Sequence, residues 1–110
     1  MELKLTPRFL QNGQRFFGPG VAELLERVRE HRSLRAAAAS MEMAYSKAWR
    51  IVNEAEGQLG CKLIERDGAR GSTLTPAGER AIEAYETLQA DINQVIATKA
   101  DTLIANINAE

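Results

Sequence analysis

"MAYSKAWRIVNEAEGQLG", residues 43–60, decides how the rest of the chain is read. Tyr45, Ala48, Trp49, Val52, Ala55 and Leu59 recur at three- and four-residue spacing. That period predicts an amphipathic helix over about 44–58 with those six side chains toward a core. Ser46, Lys47, Arg50 and Asn53 fall on the other side. Lys47 and Arg50 come early, and Glu54 and Glu56 come late. A helix dipole favours the opposite order on an ordinary surface helix. A helix that enters a DNA major groove by its N-terminal half needs the order found here.

Upstream, Ser33 is a natural N-cap for a short alanine-rich helix over about 34–40. The turn "SMEM" at 40–43 leads from it into the quoted segment, so two helices joined by a tight turn form a candidate helix-turn-helix. Before these, "GPG" at 18–20 opens another helix with Pro19 in its first turn. Val21, Leu24, Leu25 and Val28 make its apolar stripe, and Arg27, Arg29 and Arg32 suit its C-terminal end. His31, near that end, reads as a solvated histidine. Residues 3–17 read as a hairpin. Leu3 and Leu5 alternate with polar residues, Pro7 marks an edge strand, and Asn12-Gly13 supplies the turn. Phe9, Phe16 and Phe17 are expected to pack on the helices that follow.

Downstream, Gly60 ends the quoted helix. "CKLIERDGARGSTLT" then predicts a strand at 62–66, a tip at 67–71 and a strand at 72–75. Arg70 stands at the tip, where nearby glycines let backbone approach phosphates. Thr75-Pro76 starts a long helix. Ala81, Tyr85, Leu88, Ile92 and Val95 form its stripe, widened by Ile82, Ile96 and Leu103. That is more apolar surface than one small domain covers, which predicts pairing with a second copy. Past Lys99 the stripe is read as turning polar, with a fraying end.

The whole chain has 110 residues, 45% apolar and 26% charged, with net charge −1. One such domain builds a core without staples. The single Cys61 and single His31 exclude an internal disulfide and a multi-cysteine zinc site. Without an apolar run long enough for a bilayer, the chain reads as cytoplasmic, with no membrane partner. No nucleophile sits beside an evident base and no phosphate-binding glycine motif occurs, so the chain is not read as an enzyme. The carboxylates at 54/56 and 65/67 read as solvated charge. Residues 33–80 carry Arg35, Lys47, Arg50, Lys62, Arg66, Arg70 and Arg80 against Glu42, Glu54, Glu56, Glu65, Asp67 and Glu79. With that near-balance, geometry must decide between DNA and another partner.

Ala44-Tyr45-Ser46-Lys47-Ala48-Trp49, Leu63-Ile64-Glu65-Arg66, Gly68-Ala69-Arg70-Gly71-Ser72 and Leu74-Thr75-Pro76-Ala77-Gly78 together resemble one family. They are similar to the N-terminal winged helix-turn-helix domain of the molybdate-responsive ModE regulators, relatives of the LysR type. The resemblance covers about residues 3–90. Where that family carries glycine in the helix-turn-helix turn and serine as the cap of the second helix, this chain has Glu42 and Ala44. Family members hold molybdate in a separate C-terminal domain, which this chain is read as lacking.

The resulting expectation is a mainly α fold with small β elements: a winged helix-turn-helix with an N-terminal hairpin and a long C-terminal dimerisation helix. Residues 1–75 form the DNA-binding domain and 76–110 the dimerisation helix. Arg35, Tyr45, Ser46, Lys47, Arg50, Asn53, Arg66, Arg70 and Ser72 are the expected DNA contacts. Tyr85, Leu88, Ile92, Val95 and Ile96 are the expected dimer interface. Partners are double-stranded DNA and a second copy, with no cofactor, metal or small-molecule ligand. The alternative is a winged-helix module that binds protein and not specific DNA.

Overall fold

A computed structural model describes residues 2–109. Its first helix, α1 (Pro19–His31), starts at an extended Gly18 with Pro19 in the first turn and buries Ala22, Leu24, Leu25 and Val28. It ends at Arg32, held at φ 56°, whose N–H donates to the Val28 carbonyl at 2.7 Å. The Ser33 hydroxyl then accepts the Ala36 N–H at 3.0 Å and caps α2 (Leu34–Ser40). Ala37 and Ala38 are fully buried; their small side chains let neighbouring helices come close.

The turn into α3 (Tyr45–Leu59) stores strain. Glu42 sits at φ 54°, a left-handed conformation that costs a residue with a Cβ roughly 1–2 kcal/mol. Two backbone bonds hold the turn there, Glu42 N–H to the Ala39 carbonyl at 3.0 Å and Met43 N–H to Ala38 at 2.9 Å. Ala44 occupies the cap position and offers no side-chain bond. At the far end Gly60, at φ 72°, reverses the chain.

That reversal leads into the wing. β3 (Ile64–Arg66) and β4 (Ser72–Leu74) pair antiparallel, with Ile64 opposite Leu74 and Arg66 opposite Ser72. Both strands keep the predicted bounds at the tip, where Gly68–Arg70 winds into a single 3-10 turn, and are shorter than predicted at the base, where the Leu63 N–H goes to the Glu56 carboxylate and Thr75 turns away to cap the next helix. The fold is a winged helix-turn-helix.

The N-terminal hairpin is also shorter than predicted. Its strands are β1 (Phe9–Gln11) and β2 (Gln14–Phe17), and Leu3, Leu5 and Pro7 lie outside them. The reason is geometric. Phe17 is followed at once by α1, so no strand remains for residues 3–8 to pair with. Their carbonyls are taken by the last helix instead: Tyr85 Oη donates to Pro7 at 2.8 Å and Gln89 Nε2 to Leu5 at 2.9 Å. Phe17 is buried 5.7 Å from the Tyr85 ring. Phe9 leans on Phe16 and Phe17, both at 6.4 Å, and stays 44% exposed.

α4 (Pro76–Ile107) has two parts. Gly78, Ile82 and Tyr85 complete the core. Beyond Gln89 the helix projects, which at about 1.5 Å per residue is roughly 27 Å of helix. The molecule is 66 Å long and 29 × 24 Å across as a result. The end predicted to fray past Lys99 is instead helical to Ile107. Ala100, Leu103 and Ala105 are strong helix formers and no Gly or Pro interrupts them. Leu103 and Ile107 remain more than half exposed.

Candidate nucleic-acid interface

α3 turns roughly 100° per residue, which sorts its side chains into a core face, an outer face and two flanks. Ala48, Val52 and Ala55 are buried against the core. Ser46 and Arg50 are exposed on the outer face. Trp49 and Asn53 fall toward the flank beside the wing, and Lys47, Ile51 and Glu54 on the opposite flank.

The sequence places Trp49 and Leu59 in the core, and the structure does not. Trp49 is 47% exposed and Leu59 44% exposed. The Arg66 guanidinium, from β3, lies 5.5 Å over the Trp49 ring, and its Nη2 donates to Asn53 Oδ1 at 3.4 Å. Arg35, from α2, lies 4.2 Å over the Tyr45 ring. A guanidinium stacked on an aromatic face is held in place while its edge stays available for bidentate contact. Arg35, Tyr45 and Arg66 line one cleft of about 380 Å³ between α2, α3 and the wing.

The wing itself is pinned to the helices. Ser72, expected at the DNA, is buried, and its N–H donates to the Arg32 carbonyl at 3.0 Å; it is an anchor at the base of the wing. Gly71, at φ 97°, lies so close to that carbonyl that a Cβ would collide with it. Arg70 is 86% exposed at the tip, 4.0 Å from the Asp67 carboxylate. Thr75 donates its hydroxyl to the Lys62 carbonyl at 2.6 Å and accepts the Gly78 N–H at 3.0 Å. A Cβ on Gly78 would collide with the Leu63 carbonyl.

Glu56 overturns the reading of a solvated carboxylate. It is buried, and its Oε2 accepts the N–H groups of Leu63 and Ile64 at 2.9 and 3.3 Å. Oε1 lies 3.7 Å from the exposed Lys62 ammonium. One carboxylate thus joins the last turn of α3 to the start of the wing. The signal was present in the sequence: Glu56 follows Val52 by four residues, on the apolar side of the helix.

The expected sites therefore divide. Arg35, Tyr45, Asn53 and Arg66 come together beside the outer face that carries Ser46 and Arg50. Lys47 lies on the other flank, and Arg70 stands apart at the tip. In the expected dimer interface, Tyr85 is committed to its own core, with its hydroxyl bonded to Pro7; burial raises its pKa. Leu88, Ile92 and Ile96 are partly exposed and Val95 is 59% exposed. Among the described residues, no three His, Cys, Asp or Glu side chains group as metal ligands, and no helix is long and apolar enough to cross a membrane.

A sequence model of the bacterial regulatory helix-turn-helix proteins of the lysR family matches residues 21–79, more than half of the chain. The chain belongs to that family. Its match spans α1, the helix-turn-helix, the wing and the first turn of α4. Among solved structures, the lysR-family chain is similar to the BenM DNA-binding domain in complex with benA site 1 DNA. The identity is 24% and the TM-score 0.58, over 76% of this chain and 95% of that one. The CbnR DNA-binding domain in a DNA complex gives 24% identity and a TM-score of 0.57, over 81% and 97%. VV2_1132, a LysR family transcriptional regulator, gives 27% identity and a TM-score of 0.56, over 82% of this chain and 30% of its own. No curated protein matches by sequence.

Proposed function

We propose that this chain is a DNA-binding transcriptional regulator, with no catalytic role, that presents α3 to the major groove of double-stranded DNA in the cytoplasm. The observation that carries the reading is the pair of stacked cations, Arg35 on Tyr45 and Arg66 on Trp49, set beside the exposed Ser46 and Arg50. Arg50, Ser46 and Asn53 face the bases, while Arg35, Arg66 and Arg70 take phosphates. That the BenM and CbnR domains were solved with DNA supports it. The local field outweighs the net charge of −1, because phosphate contact depends on cations at the surface that meets the backbone.

Within the family, the AYSKAW and LTPAG segments favour a ModE-like regulator. A second copy pairs through α4 from Leu88 onward, whose Leu88, Ile92 and Ile96 are only partly covered in the monomer and whose Val95 is exposed. Such a pair binds two half-sites. A monomer in sedimentation at micromolar concentration overturns the pairing.

The function is tested by titrating labelled duplexes, a cognate site and mixed DNA, at two salt concentrations. Affinity should fall with salt for both. Arg50→Ala should cost about 1–3 kcal/mol on the cognate site and blur its preference. Unchanged affinity in a folded variant removes Arg50 from the reading surface. A wild-type chain that binds no duplex at low salt leaves the protein-interaction module as the better reading.

A further inference from the structure

The N-terminal hairpin lies outside the segment that matches the lysR family, which begins at residue 21. It packs against the flank of α3 that faces away from the wing. There it closes a cleft of about 430 Å³ whose lining includes Arg15 from the hairpin, Arg8 from the residue just before it, and Lys47 and Glu54 from α3. Three cations thus meet one carboxylate. All four side chains belong to exposed residues. Among the described residues, none of the three cations has a carboxylate oxygen within 4.0 Å. The Arg8 guanidinium donates to the Thr6 carbonyl at 3.5 Å.

The ribbon that carries Arg15 is well placed to hold a position. Asn12 and Gly13, at φ 51° and 79°, make the two-residue turn that matches strand twist. Arg15 lies opposite Leu10 in the register, and the ribbon's inner end is fastened by the buried Phe17. A B-DNA major groove is about 12 Å wide, and an α-helix with its side chains is about 10–12 Å across. A helix in that groove therefore has one phosphate backbone along each flank. The wing, with Arg66 and Arg70, serves one flank of α3; the hairpin stands at the other.

We propose that the N-terminal hairpin is a second backbone clamp, with Arg15, and with it Arg8 and Lys47, contacting phosphates on the side of α3 opposite the wing. The inference rests on α3 being the groove helix. Its contacts carry no sequence information, because phosphates are alike at every step. Glu54 subtracts one charge from the same cleft.

The test measures affinity of the full chain for a cognate and an unrelated duplex across a salt series, for wild type, Arg15→Ala, Arg15→Lys and Arg8→Ala/Arg15→Ala. Arg15→Ala should weaken both duplexes about equally, by roughly three- to tenfold, and reduce the slope of log affinity against log salt by about 0.9. The double variant should lower the slope further, and Arg15→Lys should restore it, since a phosphate contact needs the charge more than the fork. Circular dichroism and thermal melting confirm that each variant is folded. If a folded Arg15→Ala keeps the wild-type slope while Arg50→Ala loses cognate affinity, the hairpin clamp is wrong and the α3 reading stands. Loss confined to the cognate duplex also overturns the clamp, because it makes Arg15 a base reader. If wild type binds neither duplex, both readings fall together.

Discussion

The two β-ribbons that flank α3 are held by different physics. The wing is fastened through directional bonds to named backbone atoms: Glu56 to the Leu63 and Ile64 amides, Ser72 N–H to Arg32, and Thr75 to Lys62. The N-terminal hairpin is held mostly by apolar area, with Phe17 against Tyr85 and Phe9 against its two neighbours. Side-chain bonds from Tyr85 and Gln89 to Pro7 and Leu5 tether the strap before it. Directional bonds fail as units, since losing one partner leaves a buried group unsatisfied. Apolar contact degrades in proportion to the area removed. The wing should therefore be brittle and precise, and the hairpin tolerant.

The largest expected effect tests the wing's closest approach. Gly78→Ala places a methyl against the Leu63 carbonyl and should cost about 3 kcal/mol, the upper range for overpacking. The shift of the urea midpoint measures it; a loss below about 1 kcal/mol would mean that α4 and β3 slide apart freely. Next comes Glu56→Gln. It replaces a charged acceptor with a neutral one and should cost about 2 kcal/mol. Hydrogen exchange at the Leu63 and Ile64 amides should accelerate more than at α1. Equal acceleration everywhere would show that Glu56 is not a local anchor. The smallest effect belongs to the hairpin. Phe9 is 44% exposed, and Phe9→Ala should cost about 1 kcal/mol from lost area and two aromatic contacts. A loss as large as that of Glu56→Gln would erase the contrast between the ribbons.

What local chemistry can encode was legible in the chain. The Ser33 cap and α2 match the sequence reading. α3 matches within a residue at each end, and Thr75-Pro76 starts α4 as expected. Each depends on residues within one or two turns of one another: a cap, a first-turn proline, a run of spacing. The reading of Ser46, Lys47, Arg50 and Asn53 as the polar side of that helix rested on the same spacing. Even the strain at Glu42 was marked by a side chain where the resembling family has glycine.

Tertiary structure alone decided which neighbour each of those faces meets. Trp49 has helical spacing fit for a core, but the strand that returns beside it brings Arg66 and leaves the ring half open. Glu56 is buried because Gly60 turns two free amides back onto it. Ser72 is an anchor because Arg32 ends α1 with its carbonyl beside it. Tyr85 serves its own core because the strap before β1 passes over it. Arg8 and Arg15 share a cleft with Lys47 although both are more than thirty positions from it in the chain. Periodicity reports which side of a helix is apolar; only the path of the chain through space says what stands against it.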